Sequence, residues 1–340
     1  MNRKSAYLVA GAIVGALALP QAASAAMSLT AAGTGLNFAL STFATLPQNG
    51  AYGAWGSAVL SNGNVVVNGY ASPGGPTVNY VFADVDGQNP GSALSTSSWN
   101  DGNYASALTR VGTTVYGTHY SDNTVRIVNL DGSEGAVVSS RGRGGIDGDA
   151  ARNSLLVATD DGLVEVDLAN SDLATNRRYV AGAGGGSIDG VTVSPDGSIA
   201  YVEENGGVRG YNIATGANVF NNFAISGPDG IGFIRSGALA GNLIVNDNYG
   251  NVSLINTLTN AVTVIASGGS RGDYVGFDTT NGTLFLSQSD SLLRLSLTGG
   301  TIGGGGGNGV PEPSTWAMLI LGFGGVGAAL RRRAGARAAA

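Results

Sequence analysis

Three Asp-Gly dipeptides recur at a near-constant interval: Ile146-Asp147-Gly148, Ile188-Asp189-Gly190 and Pro228-Asp229-Gly230, spaced by 42 and 40 residues. Gly272-Asp273-Tyr274 is a looser fourth copy. If the copies are equivalent in space, Asp147, Asp189, Asp229 and Asp273 converge on one axis. Carboxylates gathered in this way repel one another unless a cation lies between them. An all-oxygen ligand set favours calcium over zinc or iron. The competing reading is local: each Asp accepts backbone hydrogen bonds within its own turn.

Other chemistry is thin. Gly268-Gly269-Ser270-Arg271-Gly272 spells a Gly-x-Ser-x-Gly pattern, but that nucleophile needs a strand-turn-helix and a histidine base. The one histidine, His119, precedes the serine, which is the wrong order for that fold, and is expected to be a satisfied loop or strand residue. One histidine and no cysteine also argue against a zinc enzyme and exclude disulfides. Arg271-Gly272-Asp273 matches an adhesion tripeptide by coincidence, and the glycine-rich Gly182–Ser187 lacks the Lys-Ser/Thr of a phosphate loop. Trp55, Trp99, Tyr104, Tyr116 and Tyr120 could form a face for stacking sugars, with core packing as the plainer alternative.

The elements that would position these residues are short β-rich runs. Glycine supplies 57 of the 340 residues, and no stretch of the body sustains a helical period. Six runs align: Asn79–Val85, Thr124–Leu130, Gly162–Leu168, Gly207–Ile213, Asn251–Thr257 and Ser291–Leu297. Their period of about 42 residues suits a four-stranded propeller blade. The expected fold is therefore all-β, a six-bladed β-propeller over residues 26–300. Alternatives are seven blades, with residues 28–60 as a degenerate blade, or a pair of β-sandwiches. Leu36–Leu46 is expected to complete the last blade, because little chain follows Ser291–Leu297. Each unit is read as an Asp-Gly turn followed by strands, and Ser194–Ser198 as a tight hairpin turn.

The two ends read as address labels. Arg3 and Lys4, then an apolar run to Leu19, then Ala23-Ser24-Ala25, make a secretory signal peptide over residues 1–25, cleaved after Ala25. Residues 301–310 form a glycine-rich linker. Residues 311–340 begin with a stiff Pro311-Glu312-Pro313 handle and continue into 15 uncharged residues from Trp316 to Leu330. As a helix that segment reaches about 22 Å, short of a hydrocarbon core of about 30 Å. Arg331, Arg332 and Arg333 would remain on the cytoplasmic side. Such a tail holds the inner membrane transiently.

Six of the 17 basic residues lie in these terminal segments, as does one of the 23 acids. The body is left with 11 arginines, 22 acids and no lysine. Nucleic acid and anionic membranes are poor partners for it, whereas divalent cations and neutral glycans are better ones.

Two resemblances follow from these residues. Pro311, Glu312, Pro313, Trp316 and Ala317, followed by an apolar helix and Arg331–Arg333, closely resemble the PEP-CTERM sorting signal. That resemblance implies cleavage by an exosortase of a Gram-negative bacterium after Sec export, and delivery to the surface or an exopolysaccharide biofilm matrix. Ile188–Ile213 resembles a blade of the gluconolactonase, senescence-marker and NHL-type propellers. This second resemblance offers Asp189 and Asp229 as ligands of a central divalent ion, with one as a general base for lactone hydrolysis. The family's blade-one glutamate has no counterpart, since residues 28–80 hold no acid. The expectation is thus a binding or scaffolding propeller in an extracellular polysaccharide matrix. A calcium-dependent lactonase-like hydrolase is its rival, and a purely structural matrix filler is the third possibility.

Overall fold

A computed structural model describes residues 26–99, 106–182 and 188–303 of the chain. The signal peptide with Ala23 and Ala25, most of the glycine-rich linker, and the sorting motif with its apolar segment lie outside the described residues. Among the described residues, no helix is long and apolar enough to cross a membrane.

Six antiparallel sheets follow one another along the chain. Blades one to five span residues 57–98, 108–139, 146–182, 188–222 and 228–267. Blade six takes three strands from residues 275–297 and its outermost strand, Phe38–Thr45, from the N-terminal side of the domain. Phe38 pairs with Leu297 and Thr45 with Ser291, so the ring is closed by chain from both ends. The expected role of Leu36–Leu46 is therefore observed. A two-residue strand, Ser28–Leu29, adds a fifth strand to blade five. Five of the six runs aligned in the sequence contain the third strand of a blade, and Asn79–Val85 overlaps the third strand of blade one, Thr77–Phe82. Closing the sheets into a ring protects edges that an open sheet of this size would expose.

Radial order comes from packing. The first strand of each blade contacts the first strand of the next, and that of blade six contacts that of blade one. Six apolar clusters fill the six blade interfaces. For example, Leu156, Leu163 and Val202 lie between blades three and four, and Phe43, Val67 and Phe285 between blades six and one. A polar staple adds to the second of these. Arg294 in blade six pairs with Asp278 in its own blade and with Asp84 and Asp86 beyond the third strand of blade one. Its guanidinium also lies over the Phe43 and Phe285 rings.

The Asp-Gly dipeptides are not turns. Each lies within the innermost strand of its blade: Ile146–Asp149, Ile188–Val193 and Pro228–Phe233. Their glycines serve close approach, not positive φ. A Cβ on Gly190 would sit 2.5 Å from the Asp229 carbonyl oxygen, and one on Gly230 2.8 Å from the Tyr274 backbone. Innermost strands crowd around the axis, and at Gly190 and Gly230 a side chain would meet that backbone. Ser194–Ser198 does form the tight turn expected of it, with Gly197 at φ +68° and its amide bonded to the Ser194 carbonyl.

Candidate functional site: a blind axial pocket

Pairing registers establish which residues share a level around the axis. Leu108 pairs with Gly117, Ile146 with Val157, Val191 with Val202, Ile231 with Val245 and Val275 with Leu286. Two residues beyond these partners, at the hairpins, come His119, Thr159, Glu204 and Asp247, which end their strands, and Gln288, just past the strand end at Ser287. In blade one Ser57 pairs with Val67. These six axial residues all border one void of only about 10 Å³, room for roughly a single water. The axis is nearly filled at this level.

Two residues earlier in the chain of each blade, within the strand in blades four and five and just before it in the others, is the level above. It holds Trp55, Ser106, Gly144, Asp189, Asp229 and Asp273 in blade order. Three carboxylates thus stand at equivalent places on three consecutive blades, and Trp55 follows them around the ring. Asp147 is not among them. Its blade is offset by three residues, with Gly144 in the carboxylate position. Asp147 instead accepts hydrogen bonds from Thr192 Oγ1 (3.0 Å), the Val193 amide (2.9 Å) and Arg235 (2.6 Å). The structure therefore brings Asp189, Asp229 and Asp273 together and sends Asp147 elsewhere, into a bond network that ties blades three, four and five.

The carboxylates form one side of a pocket of about 520 Å³ at the mouth of the axis. Tyr52, Trp55 and Tyr70 form another side, with Tyr52 stacked on Trp55 at 5.3 Å and Tyr70 tilted against it at 6.2 Å. Tyr120, Arg143 and Asp160 complete the rim, where Arg143 lies over the Tyr120 ring and pairs with Asp160. Tyr274 is the floor. It occupies a position that is Gly145, Gly190 or Gly230 in other blades, and its side chain packs across the axis against the cluster between blades two and three. Small residues on the other blades leave room for that one ring, so the channel is a blind pocket.

Arg271 organises the acids. Its guanidinium donates to Asp229 Oδ2 at 2.6 Å and to Asp273 Oδ1, and lies over the Tyr52 ring at 4.6 Å. Asp229 and Asp273 are 5% and 3% exposed, and Oδ2 of Asp273 has no hydrogen-bond partner. Beneath them Glu203 is buried, accepting from the Gly190 amide at 3.2 Å with its second oxygen unpartnered. One guanidinium cannot balance this group, so the excess is held as protons. Burial, then Asp189 and Asp273, push Asp229 up to about 9 in spite of the Arg271 contact. Burial pushes Asp273 up to about 7 against the pull of Arg271. Burial and the charges of Asp229 and Asp189 drive Glu203 well above the carboxylate range. Asp189 is also raised, by the crowding of protein around it, although its side chain is open to the pocket.

Arg271 thus lies between Asp229 and Asp273, two of the four carboxylates offered by the sequence as ligands of a cation. Among the described residues, no group of three His, Cys, Asp or Glu side chains is arranged to hold a metal ion.

The remaining motifs resolve simply. Ser270 Oγ bonds to Gln288 and to the Ser289 amide, in a loop with neither helix nor histidine. The Arg-Gly-Asp tripeptide is internal, its charged ends bonded to each other. His119 is buried with Nδ1 3.0 Å from Asp122. Of the five proposed stacking aromatics, Trp55 and Tyr120 line the pocket, Trp99 and Tyr116 belong to blade interfaces, and Tyr104 lies outside the described residues. Sequence reasoning missed Arg271, Tyr52, Tyr70 and Tyr274. Only the departure from Asp-Gly to Asp-Tyr at residue 274 signalled any of them.

The fold and site define a six-bladed β-propeller with a blind, acidic and aromatic axial pocket. Residues 309–333 match the PEP-CTERM protein-sorting motif, which implies export, exosortase processing and sorting to the cell surface. No curated protein matches the sequence. Among solved structures, a chain of a nidogen/laminin complex is similar at 14% identity and a TM-score of 0.53, over 70% of this chain and 97% of that one. A gluconolactonase from Xanthomonas campestris is similar at 14% identity and a TM-score of 0.54, over 80% and 95%. A protein of unknown function from Bacteroides thetaiotaomicron reaches a TM-score of 0.56 at 11% identity, over 76% and 75%. At these identities the likeness is one of fold.

Proposed function

We propose that the protein is a saccharide-binding propeller, exported through the Sec pathway of a Gram-negative bacterium and installed in an exopolysaccharide or biofilm matrix. The axial pocket carries the reading. A sugar ring has apolar faces and a polar rim of hydroxyls. Tyr52, Trp55 and Tyr70 offer flat apolar area for the faces, and Asp189, Asp229 and Asp273 offer acceptors for the hydroxyls. Its volume of about 520 Å³ suits a short oligosaccharide end rather than a flat polymer track. Calorimetric titration with the host's own exopolysaccharide tests this. Binding is expected, and Tyr52→Ala, which removes a half-exposed ring stacked on Trp55, is expected to weaken it about tenfold. Undiminished binding by Tyr52→Ala would remove the pocket from the account.

One arrangement favours a second reading, a lactonase-like hydrolase. Asp229 and Asp273 share Arg271 at the pocket wall, and burial raises both carboxyls, to about 9 and about 7, an arrangement suited to acid–base work. Turnover of a lactone panel that is lost in Asp229→Asn would select the hydrolase.

A further inference from the structure

Asp189 stands apart from its two neighbours in the carboxylate row. Arg271 pairs with Asp229 and Asp273, and among the described residues no group hydrogen-bonds or ion-pairs with the Asp189 carboxylate, which is open to the pocket. Among the described residues four aspartates and two arginines line the cavity, and Arg143 is already paired with Asp160. The pocket is therefore short of positive charge on the side of blade four. The body carries no lysine to supply it, the sole lysine of the chain being Lys4. Across the cavity stands the aromatic wall of Tyr52, Trp55 and Tyr70, whose ring faces also attract cations. Asp273 lines the same cavity, and its buried Oδ2 has no hydrogen-bond partner.

From the free carboxylate, the charge deficit and the aromatic wall, we infer that the pocket selects a saccharide bearing a free ammonium, an amino-sugar unit whose nitrogen donates to Asp189. Ring stacking and ammonium pairing then act on opposite sides of one residue of the glycan. Acetylation of the nitrogen removes both the charge and the fit, and a uronate is repelled. This inference rests on the saccharide reading above and narrows it.

The test uses three probes against the propeller: a glucosamine tetramer, an N-acetylglucosamine tetramer and a glucose tetramer of the same linkage. Calorimetry at neutral pH is expected to show the glucosamine tetramer binding about ten- to a hundredfold more tightly than the other two, the range of a charge-assisted hydrogen bond. Asp189→Asn keeps the shape, and with no bond to lose it is expected to fold. It should bring the three affinities together. In the unmodified protein the preference should shrink as salt is raised, a readout that needs no variant. Equal affinities, a preference that survives both Asp189→Asn and salt, or binding that disappears in EDTA would each overturn the inference while leaving saccharide binding in place. Silence of all three tetramers and of the host exopolysaccharide would overturn the saccharide reading as well.

Discussion

Removing Arg271 should make stability depend on pH in a defined direction. The guanidinium bridges two buried carboxyls and is itself 24% exposed. Taking one partner from a buried ion pair costs about 3–5 kcal/mol, and the partial exposure places this case near the lower figure, about 3 kcal/mol. That cost requires a charged partner, which near pH 8 is chiefly Asp273. Asp229 and Asp273 titrate at about 9 and about 7 in the fold, above the ordinary 3.8. A carboxyl whose folded value is raised binds more proton in the native state than in the unfolded chain, so its stabilising effect is complete at low pH and declines as pH climbs toward the folded value. Without Arg271 the decline steepens. Near pH 8 Arg271→Gln is expected to lose about 3 kcal/mol. Near pH 5, with the carboxyls protonated in the fold, only the lost hydrogen bonds remain, about 1 kcal/mol. Urea unfolding at both pH values, with m unchanged, measures the difference directly. An equal loss at the two, or a larger one at the acidic end, would refute a cluster of carboxyls governed by one guanidinium.

Three further outcomes are expected. Gly230→Ala places a methyl 2.8 Å from the Tyr274 backbone, where nothing flexible can yield, and should cost about 1–3 kcal/mol by thermal or urea unfolding. Phe43→Ala empties a fully buried site at the blade six–blade one closure, 4.9 Å from the Phe285 ring, and should cost about 3–5 kcal/mol. A loss no larger than that of an exposed residue such as Val219 would contradict closure by the N-terminal strand. Protein recovered from its native host should end before Arg331, and mass spectrometry that finds the final arginines attached would contradict exosortase processing.

Much of the architecture was legible because propellers repeat. The third strands combine a hairpin turn with an apolar alternation that survives sequence drift, and all six were found by their period. Closure by Leu36–Leu46 followed from counting strands at the chain's end. The site was only partly legible. Repeated Asp-Gly dipeptides marked the axial strands, but the glycine is there for strand-to-strand proximity and not for a turn. Proximity tolerates a slip in register, which is why Asp147 matches Asp189 in sequence and lies three residues away from it in the fold. Arg271 and Tyr52 come from loops between blades, which carry no period. Tyr274 fills an axial position that glycine holds elsewhere, and its meaning depends on the space those glycines leave across the ring. Aromatic residues in the first two units could not be divided in advance between interface and pocket, because Trp55 and Trp99 differ in destination and not in local pattern.

The account rests on the axial pocket as the place where a saccharide binds. A crystal structure of the propeller soaked with the glucosamine tetramer tests it most directly. The account predicts a sugar ring between Tyr52 and Asp189, its face on the Tyr52–Trp55 stack and its nitrogen within hydrogen-bond distance of the Asp189 carboxylate. A tetramer bound on the outer strands of the blades, with the pocket unchanged, would contradict it.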